Sequence, residues 1–242
     1  MSLLPLHAAG LYDGQSPNAH DLVVSSYTPT LTALLRCSGP SSTPAGLLSV
    51  GQEATPNQTK LPKTVDELNI IKRYSTVTPC LQLTGDLATV SATLKAMEEN
   101  SWVHLACHAV QNDSNPNQSA FYLHDGVLTL EEIARRQFKN KGLAFLSACQ
   151  TATGDHRLPD EATHLAAGML VAGYASVIGS MWSIMDEDGP PVAEVVYSEL
   201  LKDGKMDHTR SARALHKAVK ILQEKVGEKE VWRWAPFIHM GA

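Results

Sequence analysis

Two long apolar runs without charge or helical period stand out along the chain. They cover Trp102–Ala109 and Leu143–Cys149, and such runs predict strands buried on both faces of a sheet. The first run ends at His108 and Ala109 before a polar loop, and the second ends at Cys149 before another. Each run therefore ends with a side chain capable of acid–base or nucleophilic chemistry, an imidazole or a thiol, at the point where the chain leaves the sheet.

The remaining pattern alternates short apolar runs with stretches of helical period. Two sequences, Thr64–Glu67 and Thr129–Glu132, fit capping boxes that open helices. Further strands are predicted at residues 21–27, 45–51, 79–83, 121–124 and 175–182. Four helices are predicted with both bounds, at residues 29–36, 159–173, 192–200 and 215–222. Two more are predicted to begin at residues 64 and 129, and another to end near residue 99. Repeated strand–helix–strand order predicts right-handed crossovers and a mostly parallel α/β sheet.

The carboxyl ends of parallel strands meet at one edge of a sheet, which is where α/β proteins bind ligands. If the two long strands are neighbours, His108 and Cys149 emerge together there. Either residue alone is typical of a buried structural role. Together they favour a thiol activated by an imidazole, because a thiolate near neutral pH needs a base or cation beside it.

Composition excludes several classes of function. The formal net charge is −5, which argues against nucleic-acid binding, and no apolar stretch is long enough to span a membrane. The four cysteines show no paired spacing, which is typical of reduced thiols in an intracellular protein and indicates a cytoplasmic location. His104 and His108 share a strand face but stand roughly 13 Å apart, too far to chelate one ion. We therefore expect neither a metal nor another cofactor.

Six phrases, in order, resemble the CHAT family of caspase-like, separase-related clan CD cysteine peptidases. They are PLHAAG (5–10), SSYTP (25–29), HLACHA (104–109), LSACQT (146–151), HLAAG (164–168) and SMWSIMD (180–186). The resemblance implies a three-layer sandwich with a mostly parallel central sheet and helices on both faces. It implies one domain over residues 1–242, with 1–45 as its amino-terminal subregion. It also implies that the chain is a fragment of a longer protein whose tetratricopeptide repeats regulate it.

The resemblance further implies a cysteine endopeptidase that cuts partner proteins in a signalling, cell-death or defence pathway. His108 and Cys149 would be catalytic, and the backbone amides of Ala109 and Cys149 would bind the oxyanion. Trp182 would line the substrate pocket, with Asp186 or Asp155 pairing with an Arg or Lys of the substrate. Asp186 has the alternative role of starting the next helix. The alternative function is a catalytically silent signalling or scaffolding module.

Overall fold

The computed structural model describes most of the chain, namely residues 4–13, 15–37, 46–56, 58–76, 78–112, 115–136, 138–150 and 162–241. For residues 36, 37, 116, 148–150 and 162–164 it describes the backbone alone.

The described residues form an 8-stranded sheet in the order β2-β1-β3-β6-β7-β8, with β4 and β5 attached as a hairpin beside β3. The strands are β1 (Leu47–Gly51), β2 (Cys80–Thr84), β3 (Trp102–Val110), β4 (Ala120–Tyr122), β5 (Val127–Thr129), β6 (Lys141–Gln150), β7 (Tyr174–Ser180) and β8 (Phe237–Gly241). Strands β2, β1, β3, β6 and β7 are parallel, whereas β8 runs antiparallel to β7. The predicted fold class, α/β with a mostly parallel central sheet, is confirmed.

Helices cover both faces of this sheet. They are α1 (Ala19–Leu22), α2 (Leu31–Cys37), α3 (Lys63–Tyr74), α4 (Val90–Glu99), α5 (Leu130–Arg135), α6 (Ala162–Val171), α7 (Gly189–Leu200), α8 (Ser211–Val226) and α9 (Val231–Trp234). Among the described helices, none combines the length and apolar character needed to cross a membrane.

Alternation along β3 divides the core into two layers. Val103 and Leu105 pack with residues of α4, α5 and α6, whereas Trp102 packs with residues of α3, α7 and α8. A strand sends successive side chains to opposite faces, so each layer is an apolar interface between the sheet and its helices. His104 and His108 have the parity of Trp102 and therefore belong to the α3 and α7 face.

Two parts of the fold differ from the prediction, and a third predicted element is not tested. Asp21, which was expected to begin a strand, instead completes a capping box with Asn18 that opens α1, and only Tyr27 of the segment forms a bridge, to Met240. Strand β8 was missed because it is a five-residue run containing His239, whose polar ring hides the strand pattern. The predicted start of a helix at residues 159–161 lies outside the described residues.

The two predicted capping boxes had opposite outcomes. Thr129 accepts a hydrogen bond from the amide of Glu132, whose carboxylate returns to the Thr129 amide, so that box is confirmed. The box at Thr64 is wrong. Helix α3 already begins at Lys63, the Thr64 hydroxyl donates to the carbonyl of Leu61, and the carboxylate of Glu67 turns into the core.

Candidate active site

The two predicted catalytic residues lie side by side in the sheet. Strands β3 and β6 are parallel neighbours, and their register pairs His108 with Cys149. Neighbouring strands lie roughly 5 Å apart. The backbone therefore brings the two residues together at the carboxyl edge, as the apolar runs predicted.

The ring of His108 is fixed by one hydrogen bond. Its Nε2 lies 2.7 Å from the carbonyl oxygen of Thr59. Because a carbonyl oxygen can only accept, the proton is on Nε2, and Nδ1 of the neutral ring carries a lone pair. Nδ1 is buried and has no hydrogen-bond partner among the described residues. An imidazole held in this tautomer is prepared to accept a proton at Nδ1.

Thr59 lies in the segment between β1 and α3. Three backbone hydrogen bonds hold this segment. The Gln52 amide donates to the carbonyl of Ala106 on β3, the Gln58 amide to Thr55 and the Leu61 amide to Glu53. The Thr59 carbonyl is thereby held against His108. Sequence reasoning missed this contact, and no residue type could have signalled it, because every residue has a carbonyl group.

The chain after β7 carries two of the predicted pocket residues. Trp182 is half-buried, and its Nε1 donates to the carbonyl of Trp232 at 3.0 Å. Asp186 begins a 3₁₀ turn, Asp186–Asp188, and its Oδ2 accepts from the amide of Lys63 at 3.0 Å. Its carboxylate thus caps α3, a different helix from the one expected. Burial raises the pKa of the Asp186 carboxyl.

Ala109, the Cys149 amide and Asp155 are the other predicted parts of the site. Ala109 is paired in the sheet with Gln150 of β6 and with Phe121 of β4. Its role as an oxyanion donor, like that of the Cys149 amide, stays a prediction. Asp155 lies outside the described residues.

A group of buried polar side chains lies on the same face of the sheet as His108. We call it the Glu67 cluster, and it consists of Glu67, His104, Ser147 and Tyr197. His104 Nε2 lies 2.8 Å from Glu67 Oε2, and the Ser147 hydroxyl donates to Glu67 Oε1 at 2.7 Å. The other ring nitrogen of His104 lies 3.2 Å from the Tyr197 hydroxyl. Burial is the main cause that raises the pKa of Tyr197, so its hydroxyl stays protonated.

Sequence reasoning missed this cluster, although a signal was present. Glu67 precedes Leu68 and stands four residues before Ile71, so it interrupts the buried stripe of α3. A carboxylate in such a position is almost never buried without a partner. The capping box predicted at Thr64 gave the same carboxylate a local partner.

A family model for the CHAT domain matches residues 1–242. The chain belongs to the CHAT domain family. The resemblance drawn from its six phrases is therefore confirmed. No match was found among the curated proteins.

Solved structures of cysteine peptidases share the fold of this CHAT domain. A complex of the pro- and mature domains of RgpB from Porphyromonas gingivalis aligns with a TM-score of 0.59 at 13% identity, covering 93% of this chain and 53% of that one. The Arg-specific cysteine proteinase gingipain R (RgpB) aligns with a TM-score of 0.58 at 12% identity, covering 87% and 50%. The CHAT domain thus spans about half the length of these chains. At such identities the likeness shows the caspase-like fold alone.

Proposed function

We propose that this CHAT domain is a cysteine endopeptidase in which Cys149 is the nucleophile and His108 is the general base and acid. The observation that carries the proposal is the register of β3 and β6, which pairs these two residues, together with a buried His108 Nδ1 that has no hydrogen-bond partner among the described residues. Residue 149 has the parity of Phe145 and Ser147, whose side chains face α3 and α7. Strand alternation predicts that the thiol shares the face of His108.

The proposed reaction has two halves, formation and hydrolysis of a thioester on Cys149, and His108 accepts and then returns one proton in each half. Nδ1 of His108 takes the thiol proton, and the thiolate attacks the carbonyl carbon of the scissile bond. The imidazolium then protonates the leaving amine as the C–N bond breaks, which leaves a thioester on Cys149. Water attacks the thioester, His108 takes the proton of the water, and the thiol is regenerated as the acid product leaves. The Thr59 carbonyl keeps the ring oriented throughout and stabilises the imidazolium.

The developing oxyanion requires donors that are already in position. We propose the backbone amides of Cys149 and Ala109 for this role. Both residues lie where β3 and β6 end, and a donor that belongs to the main chain cannot rotate away from the reacting carbonyl.

We propose protein substrates with Arg or Lys before the scissile bond. Asp186 is a half-buried carboxylate after β7, and its second oxygen can pair with a basic side chain while the first caps α3. Asp155 is a second candidate for the same charge, and Trp182 for the apolar wall. One of the proteinases with the same fold is described as Arg-specific, which is consistent with this proposal.

We further propose that the domain acts in the cytoplasm, in a signalling, cell-death or defence pathway, under control of a repeat module on the same full-length chain. Cys80 is a free thiol, as is usual in a reducing compartment.

The test compares the alkylation rates of two cysteines in the same molecule. Burial raises the pKa of the Cys80 thiol, so Cys80 is a slow internal reference. At pH 7 we expect iodoacetamide to modify Cys149 at least about tenfold faster than Cys80, and His108→Ala to abolish the difference. Equal rates in the wild type would contradict a poised thiolate.

A second experiment addresses turnover. Cell lysate is incubated with the wild type or with Cys149→Ala, and new protein termini are compared by mass spectrometry. We expect termini that only the wild type creates, mostly after Arg or Lys. Fast alkylation without new termini would instead favour the silent signalling module.

A further inference from the structure

One buried carboxylate connects the two strands that carry the proposed dyad. Glu67 Oε2 lies 2.8 Å from His104 Nε2 on β3, and Oε1 accepts from the Ser147 hydroxyl on β6 at 2.7 Å. His104 precedes His108 by four residues, which is two strand repeats, and Ser147 precedes Cys149 by two residues, which is one repeat. Both contacts are fully buried, so no water competes for them. Glu67 therefore helps to set the separation of β3 and β6 at His104 and Ser147, on the amino-terminal side of the dyad.

Helix α7 closes the cluster from its other side. Tyr197 contacts the second ring nitrogen of His104, and Gly189 at the start of α7 lies against the carboxylate. A Cβ added at Gly189 would lie 1.9 Å from Glu67 Oε1, so only glycine permits this approach. The amino-terminal end of a helix is electropositive, which favours a carboxylate there.

The helix that carries Glu67, α3, also helps to position the Thr59 carbonyl, which contacts His108. Helix α3 begins at Lys63, four residues after Thr59, and its first amide is capped by Asp186. Anchoring α3 through Glu67 therefore also anchors the chain that presents the Thr59 carbonyl to His108. The Glu67 side chain thus influences both the spacing of the strands that carry His108 and Cys149 and the hydrogen bond to the His108 ring.

We propose that Glu67 is a positioning residue for the dyad. It holds β3 and β6 at a fixed separation and keeps the Thr59 carbonyl on Nε2 of His108, without contacting substrate. The inference rests on the proposed peptidase function for its catalytic consequence, but the positioning of His108 can be measured separately.

The first measurement isolates the β6 contact. Ser147→Ala removes one hydrogen bond of the Glu67 cluster and leaves the contact between Glu67 and His104 in place. The matched control is Ser176→Ala, which truncates a buried serine on β7 that hydrogen-bonds Ser211 and His239 instead. We expect Ser147→Ala to slow Cys149 alkylation about tenfold, because small displacements of reacting groups are costly, and Ser176→Ala to change it less than about twofold.

The second measurement reads the His108 ring directly. Long-range ¹H–¹⁵N NMR of histidine side chains reports which ring nitrogen carries the proton, and His108→Gln assigns the signal. We expect Nε2 of His108 to carry a proton throughout in the wild type and in Ser176→Ala, because the Thr59 carbonyl accepts from it. In Glu67→Gln and Ser147→Ala, the His108 signals should shift towards a mixture of tautomers.

The two measurements separate the possible failures. If the His108 tautomer and the alkylation rate are unchanged in folded Ser147→Ala and Glu67→Gln, the positioning role is overturned. If both serine variants slow alkylation equally, the effect is general loss of stability, and the positioning role is again overturned. A slow wild-type Cys149 with a tautomer that shifts in Glu67→Gln would overturn the peptidase function while supporting the positioning role.

Discussion

Arg233 forms two hydrogen bonds with the carboxylate of Asp188, from Nε at 2.9 Å and from Nη2 at 2.5 Å. Asp188 is fully buried and immediately precedes α7, whereas Arg233 lies on α9 near the end of the chain. The hydrogen bond to Asp188 is the main cause that raises the pKa of the Arg233 guanidinium. This pair fixes the loop between β7 and α7, which carries Asp186, to the carboxyl-terminal segment.

We expect Arg233→Met to destabilise the domain by about 3 kcal/mol, because it leaves the Asp188 charge buried without its partner. Urea unfolding gives the free energy. The control is Arg73→Met, which breaks an exposed ion pair with Glu194 and should have a much smaller effect. Equal losses in the two variants would show that the Asp188 pair is no stronger than a surface pair.

Acid should destabilise the domain through His239. Burial lowers the pKa of His239 to about 4, and its ring nitrogens contact the hydroxyls of Ser26, Ser176 and Ser211. The unfolded chain binds this proton at the ordinary pKa of about 6.5, so the unfolded state carries more protons between the two values. The stability is therefore complete above pH 6.5 and falls as the pH decreases towards 4, by about 3 kcal/mol for this residue.

The measurement is the free energy of unfolding from pH 7.5 to 4 in wild type, His239→Gln and His124→Gln, since His124 is exposed. His239→Gln should lose less unfolding free energy than the wild type between pH 7.5 and 4, and His124→Gln should lose as much as the wild type. A decrease of the same size in all three proteins would exclude His239 as its source. Burial also lowers the pKa of His7 and His20, so some decrease should persist in His239→Gln.

Lys141 caps the carboxyl-terminal end of α4. Its Nζ donates to three carbonyl oxygens, those of Met97, Glu98 and Asn100, at 2.6, 2.9 and 2.6 Å. We expect Lys141→Met to lower the free energy of unfolding by about 3 kcal/mol, because buried carbonyl groups lose a charged donor. Lys139→Met, at an exposed position, serves as the control in the same thermal or urea unfolding experiment. Similar stability of the two variants would contradict the capping role.

The two proposed roles of Asp186 can be separated by substitution. Asp186→Ala should cost about 1 kcal/mol, because the Lys63 amide loses its cap, and should also reduce cleavage after Arg and Lys. Asp186→Asn retains an acceptor for that amide but removes the charge. It should keep the stability and still lose the preference for basic residues, as measured on a peptide library. An unchanged preference in Asp186→Asn would rule Asp186 out as the specificity residue.

The amino-acid sequence by itself determined the parallel sheet and the meeting of His108 with Cys149. Both follow from local information, because each long apolar run forms a buried strand and each ends at a polar residue. Parallel strands end at one edge, so the two residues needed only to be on neighbouring strands. The capping box at Thr129 was predictable for the same reason, since all its partners lie within four residues.

Only the tertiary structure decided how the dyad is supported. The Thr59 carbonyl carries no residue signature, and the Glu67 carboxylate had a plausible local use at the start of α3. Its actual partners, His104 and Ser147, lie 37 and 80 residues away in the chain. Strand β8 likewise depends on pairing with β7. Such contacts exist only once distant segments pack together, because burial is what makes a carboxylate, a histidine or a free backbone edge require its partner.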